Sequence, residues 1–288
     1  MAEVVVGIDG SEGSRRALRW AAAAAGALGA RLRAVWVWQY PSDVVLEVGG
    51  VALLDRDRAD AEAGERLRVV VEEELGDRAG AVETDVRRGP AGAALVRAAD
   101  GARLLVVGAR GLGGFRGLLL GSVSRQVSEH ASCPVTIVRR DVEGHLPART
   151  VVVGVDGSED ARRAMLFAAQ VAAAFGAELR VVHAAGGGDV VRPPGLESEG
   201  ASRQWRELAL EEWCAPLHDA GAAYRAQVVE GDPRVALPEV AEDVDADLVV
   251  VGSRGSGAVG RLVLGSVATA LSHRSDVPLT IVPGVRSG

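Results

Sequence analysis

Short unbroken apolar runs alternate along the chain with longer stretches in which apolar residues recur every three or four positions, a pattern that predicts alternating strands and helices. Glu3–Ile8 is an apolar run closed by Asp9-Gly10 and reads as a buried strand. Glu12–Leu28 reads as an alanine-rich helix with Ser11 at its N-cap. Arg31–Trp38 predicts a second strand, and the charge density and apolar spacing of Asp55–Gly76 predict a helix. Val82–Arg88, Ala91–Ala99 and Arg103–Gly108 read as strand, helix and strand, followed by a helix at Ser122–His130 and a strand at Val135–Arg139. A second series of strands follows at Thr150–Val155, Glu178–His183, Ala223–Glu230, Asp247–Gly252 and Leu279–Val282. Strands this apolar are covered on both faces, which predicts the α/β class, with parallel sheets and right-handed crossovers. Periodicity leaves the strand order open. Gln39–Val51 and Ala185–Gly200 read as loops, each following the second strand of its series.

The two series are copies. Val4–Ser11 returns as Val151–Ser158, Leu104–Gly111 as Leu248–Gly255, Leu118–Val123 as Leu262–Val267, and Cys133–Val138 as Val277–Val282. The last three pairs share one offset (Gly108 to Gly252) and the first differs from it by three residues. Order and spacing kept over whole halves predict two tandem domains, at residues 1–140 and 149–284, joined near Arg139–Arg149.

Composition removes several function classes. The net charge is -7 and aromatic residues make up 3%, which disfavours a phosphate-backbone partner or a base-stacking platform. All 32 basic residues are arginine. Without lysine there is no Walker-type phosphate loop, no pyridoxal-phosphate Schiff base and no kinase of the common fold. Asparagine is absent as well. Cys133 and Cys214 are the only cysteines, too few for a disulfide framework. None of the five histidines lies in an i, i+4 pair or among clustered carboxylates, so no metal ligands are assigned. The apolar run Trp20–Ala30 is too short to span a bilayer, and the first residues show no secretory pattern. The expected compartment is the cytoplasm.

The strongest chemical signal is a spaced glycine pattern, G-x2-G-x9-G-S, formed by Gly108, Gly111, Gly121 and Ser122 and repeated by Gly252, Gly255, Gly265 and Ser266. Each begins at the end of a buried strand and finishes where a helix begins. Glycine lets backbone amides approach an anion and permits positive φ, and the amides of the following helix turn add partial positive charge. The serines can donate to phosphate or cap the helix. Arg110 and Arg254 lie inside the loops and can either reach phosphate or face solvent. Asp9 and Asp156 end the first strand of each copy, where open parallel sheets bind ligands. Such a carboxylate can accept a ribose hydroxyl or help hold a metal on phosphates. It can equally serve a turn, by accepting nearby backbone amides.

Val-Gly-Ile-Asp-Gly-Ser near the start and the G-x2-G-x9-G-S pattern resemble the universal stress protein family, in a tandem form and in its ATP-binding subclass. The resemblance implies two Rossmann-like (adenine nucleotide alpha hydrolase-like) domains, each a five-stranded parallel sheet of order 3-2-1-4-5 with helices on both faces. It implies ATP with Mg2+ as ligand, Asp9 and Asp156 at the ribose or phosphate-metal region, and the glycines with Ser122 and Ser266 at the phosphates. It also places adenine on the strand backbone at Val37 and Ala184. The unlike neighbours Trp36 and His183 imply sites of different shape. The expected function is nucleotide binding in a stress-response module, with slow ATP hydrolysis or autophosphorylation as the enzymatic alternative. No catalytic residue is assigned. The final strands, as sheet edges, imply an internal pseudo-dimer, with a homodimer also open.

Overall fold

The computed structural model describes residues 2–39, 47–48, 51–52, 56–111, 120–139, 148–186, 199–255 and 264–284. The chain divides into two compact units, Met1–Val142 and Glu143–Gly288.

The first unit runs β1 (Glu3–Ile8), α1 (Glu12–Ala27), β2 (Arg31–Trp38), a two-residue antiparallel pair β3 (Glu47–Val48) and β4 (Val51–Ala52), α2 (Arg56–Leu75), a 3-10 turn (Gly76–Ala81), β5 (Val82–Arg88), α3 (Ala91–Ala98), β6 (Leu104–Gly108), α4 (Ser122–His130) and β7 (Val135–Val138). Its main sheet is parallel throughout, in the order β5-β2-β1-β6-β7. The second unit runs β8 (Thr150–Gly154), α5 (Glu159–Phe175), β9 (Glu178–Ala185), α6 (Glu199–Asp219), β10 (Tyr224–Glu230), α7 (Pro233–Asp243), β11 (Leu248–Gly252), α8 (Ser266–Arg274) and β12 (Leu279–Val282). Its parallel order is β10-β9-β8-β11-β12. Counted within each unit, both orders are 3-2-1-4-5. The loops read from periodicity are shorter in the structure: β3 and the start of β4 fall on Gln39–Val51, and Ala185–Gly200 loses Ala185 to β9 and Glu199 and Gly200 to the following helix.

The topology explains the two helical layers. In the first unit the crossovers from β1 to β2 to β5 move one way along the sheet, and those from β5 through β6 to β7 return the other way. With right-handed crossovers, α1 and α2 cover one face and α3 and α4 the other, and α1 packs on α2 as α3 packs on α4. The sheet between them is a closed apolar layer: Val4, Val5, Val6, Leu104, Leu105 and Val106 are fully buried, as are Val151, Val152, Val153 and Leu248 in the second unit. Gly7 and Gly154 interrupt these runs because leucines fill the space of their side chains. A Cβ on Gly7 would lie 2.8 Å from Leu95 Cδ1, and one on Gly154 2.7 Å from Leu237 Cδ1. Ser11 and Ser158 cap α1 and α5, accepting from the amides of Ser14 and Ala161. On the outer layer Arg15 of α1 donates to Glu73 and Glu74 of α2, and Arg19 also holds Glu74.

Candidate functional site

In each unit the winding direction reverses between two hydrogen-bonded strands, β1 and β6 in the first and β8 and β11 in the second. A crevice opens beyond the carboxyl ends of such a pair, where ligands bind in open α/β sheets. Asp9 follows β1 directly and Gly108 ends β6; Asp156 and Gly252 stand equivalently.

The turn role of the aspartates is what the structure shows. Asp9 Oδ1 accepts from the Ser11 amide at 3.0 Å, and Asp156 Oδ1 from the Ser158 amide at 3.0 Å. One oxygen therefore closes the Asp-Gly-Ser turn, whose glycines have φ of +83° at Gly10 and +77° at Gly157. The other oxygen is directed at the glycine loop. A Cβ on Gly111 would lie 2.1 Å from Asp9 Oδ2, and one on Gly255 2.4 Å from Asp156 Oδ2. Residues about a hundred positions apart are thus brought together in both units, and only glycine leaves room for the carboxylate.

The motif glycines are needed for close approach and not, as the sequence suggests, for positive φ: none of Gly108, Gly111, Gly121, Gly252, Gly255 and Gly265 has it. A Cβ on Gly108 would lie 2.5 Å from the Gly13 carbonyl, so α1 rests directly on the start of the loop. The loop then returns to its own base. The Gly121 amide donates to the Ala109 carbonyl at 2.8 Å, and the Gly265 amide to that of Ser253 at 2.8 Å. Cβ atoms at Gly121 and Gly265 would meet that backbone at 3.3 and 3.2 Å. Residues 112–119 and 256–263, the middle of each loop, lie outside the described residues.

Ser122 and Ser266 do not cap their helices. Gly121 and Gly265 occupy the N-cap positions with no side-chain cap, and the serines are the first helical residues, both exposed. The first-turn amides of α4 and α8 and these hydroxyls are donors suited to an anion. A residue that the motif does not mark is Ser124, whose buried hydroxyl donates to the Gly108 carbonyl at 2.7 Å. It ties α4 to the beginning of the loop. Its counterpart is Ala268, so repeat comparison carried a signal of difference but not of role. Arg110 is exposed; Arg254 is partly buried and its Nε donates to Asp160 Oδ2 at 3.4 Å.

Val37 lies near the carboxyl end of β2, in register with Arg87, and Ala184 near that of β9, in register with Val229. Beside them the two units differ. A Cβ on Gly10 would lie 3.3 Å from Trp36 Cη2, whereas the corresponding Cβ on Gly157 would lie 2.6 Å from Cζ2 of Trp213, on α6. His183, at the position equivalent to Trp36, is buried and donates from Nδ1 to the Val155 carbonyl at 2.9 Å. At the end of β2, Trp38 Nε1 donates to Asp60 at 2.9 Å and the Arg88 guanidinium lies 5.9 Å from the Trp38 ring centroid. Hydrogen bonding from Arg88 holds the Asp60 carboxyl below its ordinary value. In the second unit the charges are reversed, with Arg206 on the helix and Glu230 on the strand, 2.9 Å apart.

Burial pushes the Cys133 thiol up to about 11 and raises that of Cys214, so neither is a reactive thiolate near neutrality. Among the described residues no group of three His, Cys, Asp or Glu side chains is placed to hold a metal. Beside each loop an aspartate, Asp9 or Asp156, offers the kind of oxygen ligand Mg2+ takes when phosphates complete its shell. Among the described residues no helix is long and apolar enough to cross a membrane.

Comparison with known proteins agrees with this fold and its duplication. The universal stress protein family matches twice, over residues 1–139 and 147–283. Universal stress protein Rv2623 of Mycobacterium tuberculosis (strain ATCC 25618 / H37Rv) is 32% identical over 285 residues, covering 96% of this chain and 95% of its own. Universal stress protein Rv2005c of the same strain is 32% identical over 289 residues, covering 96% of each. Among solved structures, a universal stress protein from Archaeoglobus fulgidus DSM 4304 superposes with a TM-score of 0.71 at 24% identity, covering 98% of both chains.

Proposed function

The chain belongs to the universal stress protein family, and on that premise we propose that each unit binds one adenine nucleotide, ATP with Mg2+, as a regulatory module in a stress response. The observation that carries this reading is the meeting of aspartate and glycine loop, Asp9 Oδ2 against Gly111 and Asp156 Oδ2 against Gly255. The loop amides, the open N-termini of α4 and α8 and the hydroxyls of Ser122 and Ser266 favour phosphate. A carboxylate beside them repels it unless a cation lies between, which is the reason for including Mg2+. When bound, the cation would neutralise phosphate charge at Asp9 or Asp156. The base would lie along the strand backbone at Val37 or Ala184, with Trp36 or Trp213 nearby.

Binding without rapid turnover fits the site better than catalysis. Phosphoryl transfer needs a group to orient or deprotonate the attacking nucleophile, and Asp9 Oδ1 and Asp156 Oδ1 are engaged by their own turns. The absence of a nucleic-acid partner belongs to the same proposal, supported by the net charge of -7, and so does a cytoplasmic location. For assembly, β7 and β12 each end their own unit's sheet and are proposed as pairing edges, in an internal pseudo-dimer or a homodimer.

Calorimetric titration of the full chain with ATP and Mg2+ tests the proposal. Two equivalents per chain are expected, with ATP recovered intact. No binding at millimolar nucleotide would overturn it, and rapid ADP release would favour the enzymatic alternative.

A further inference from the structure

Asp160 has no counterpart in the first unit, where the equivalent residue is Gly13. It sits in the first turn of α5, is 8% exposed, and gathers the base of the second glycine loop around its carboxylate. Oδ2 accepts from Ser253 Oγ at 2.9 Å and from Arg254 Nε at 3.4 Å, and Oδ1 accepts from Arg163. Ser253 Oγ in turn accepts the Gly284 amide at 3.1 Å. A Cβ on Gly284 would lie 2.2 Å from Arg254 Nη2, so the chain after β12 closes over this arginine.

The first unit is built differently at every equivalent position but the arginines. Ala109 replaces Ser253, and Gly13 replaces Asp160. A side chain at 13 is excluded, because its Cβ would lie 2.5 Å from the Arg110 carbonyl. Arg16, equivalent to Arg163, donates instead to the Arg139 carbonyl at 3.2 Å, and Arg139 stands where the second unit has Pro283. The Glu12 and Glu159 carboxylates are equivalent and cancel in the comparison. At the first loop the equivalents of Asp160 and Ser253 are thus Gly13 and Ala109, whereas at the second Arg163 and Arg254 are bridged by the Asp160 carboxylate. Each further phosphate on a nucleotide adds negative charge, and its attraction to the site scales with the local charge difference.

Resting on the nucleotide reading above, we propose that the two sites divide nucleotides by phosphate charge. The first takes the triphosphate. The second, through Asp160, takes a nucleoside mono- or diphosphate. Asp160 acts through Arg254 and is a positioning and specificity residue.

The test uses the full chain in two single-site forms, Gly265→Val to leave the first site and Gly121→Val to leave the second, each titrated with Mg2+ and ATP, ADP or AMP. The ratio of ATP to AMP affinity is expected to be about tenfold higher at the first site, for one to two charges at several ångströms. In the Gly121→Val background, Asp160→Asn should raise that ratio about tenfold while AMP affinity and the melting temperature report an intact unit; Asp160→Glu should keep the parent ratio. Equal ratios at the two sites, or a ratio that Asp160→Asn leaves unchanged with AMP still bound, would overturn the proposal. Loss of all three nucleotides from the unmodified chain would instead overturn the nucleotide reading, and this inference with it.

Discussion

The indole of Trp213 stands edge-on to the imidazole of His183, with ring centroids 5.1 Å apart and planes at 85°. His183 occupies the position on β9 that Trp36 occupies on β2. In the first unit the strand residue itself covers the glycine of the Asp-Gly-Ser turn; in the second, His183 supports a tryptophan that reaches it from α6. The aromatic cover is kept and its source has moved. A flat apolar surface there shields the turn and offers a face for stacking.

Both indoles should therefore report ligand. Titration with ATP and Mg2+ is expected to change tryptophan emission over the background of Trp20, Trp38 and Trp205. Trp36→Phe should remove the part of the change that belongs to the first site, and Trp213→Phe the part that belongs to the second. If each variant responds as the parent does, the nucleotide lies elsewhere.

Gly111→Ala and Gly255→Ala should each impair one site. The added Cβ would fall 2.1 Å from Asp9 Oδ2 or 2.4 Å from Asp156 Oδ2, and Oδ1 is held by the turn, so the whole carboxylate must move. A loss of about tenfold or more in Mg-ATP affinity at that site is expected, in line with one displaced charged contact. Gly121→Ala, which meets the Ala109 carbonyl at 3.3 Å, should cost less than Gly111→Ala. The reverse order in a calorimetric comparison would show that the aspartate is not the constraint.

Gly108→Ala tests packing instead of binding. Its Cβ would be pressed to 2.5 Å from Gly13 backbone, and neither α1 nor β6 can yield alone. Overpacking of this kind destabilises by about 1–3 kcal/mol. Urea unfolding should show the loss, and a stability equal to the parent would mean that α1 shifts freely.

Acid should weaken the α1–α2 layer. Burial raises the Glu74 carboxyl, but hydrogen bonds from Arg15 and Arg19 outweigh it and hold the group below its ordinary value. A carboxyl whose folded pKa is depressed stabilises the fold above its unfolded pKa of about 4.3, and this is lost as pH falls through the folded value. Stability of the parent should therefore drop more steeply below about pH 4.3 than that of Glu74→Gln. Parallel urea-unfolding curves for the two would remove Glu74 from the account.

Residues 1–142 and 146–288, expressed separately, are each expected to self-associate through the last strand of their own sheet. Proline at Ile137 or Ile281 removes a backbone donor from that strand and should return the fragment to a monomer. Sedimentation showing monomers at high concentration without the proline would count against pairing at this edge.

How much was legible from sequence alone differs between fold and site. Apolar runs such as Val4–Val6 and Leu104–Val107 mark strands covered on both faces, because burial on two sides leaves no room for polar alternation. The repeat of those runs fixed the duplication, and the glycine spacing located the loop. These are local properties, carried by neighbouring residues. What each glycine is for was not local. Gly111 is glycine because of Asp9 and Gly108 because of Gly13, pairs that meet only when β1 and β6 lie side by side. The same holds for Ser124 against the Gly108 carbonyl, Trp213 against Gly157 and Asp160 against Ser253 and Arg254. Sequence by itself determined the elements, their repetition and the class of ligand worth testing. Only the tertiary structure decided which side chains share a site and how the two sites differ, because close approach and charge pairing depend on distances between elements that no stretch of chain encodes alone.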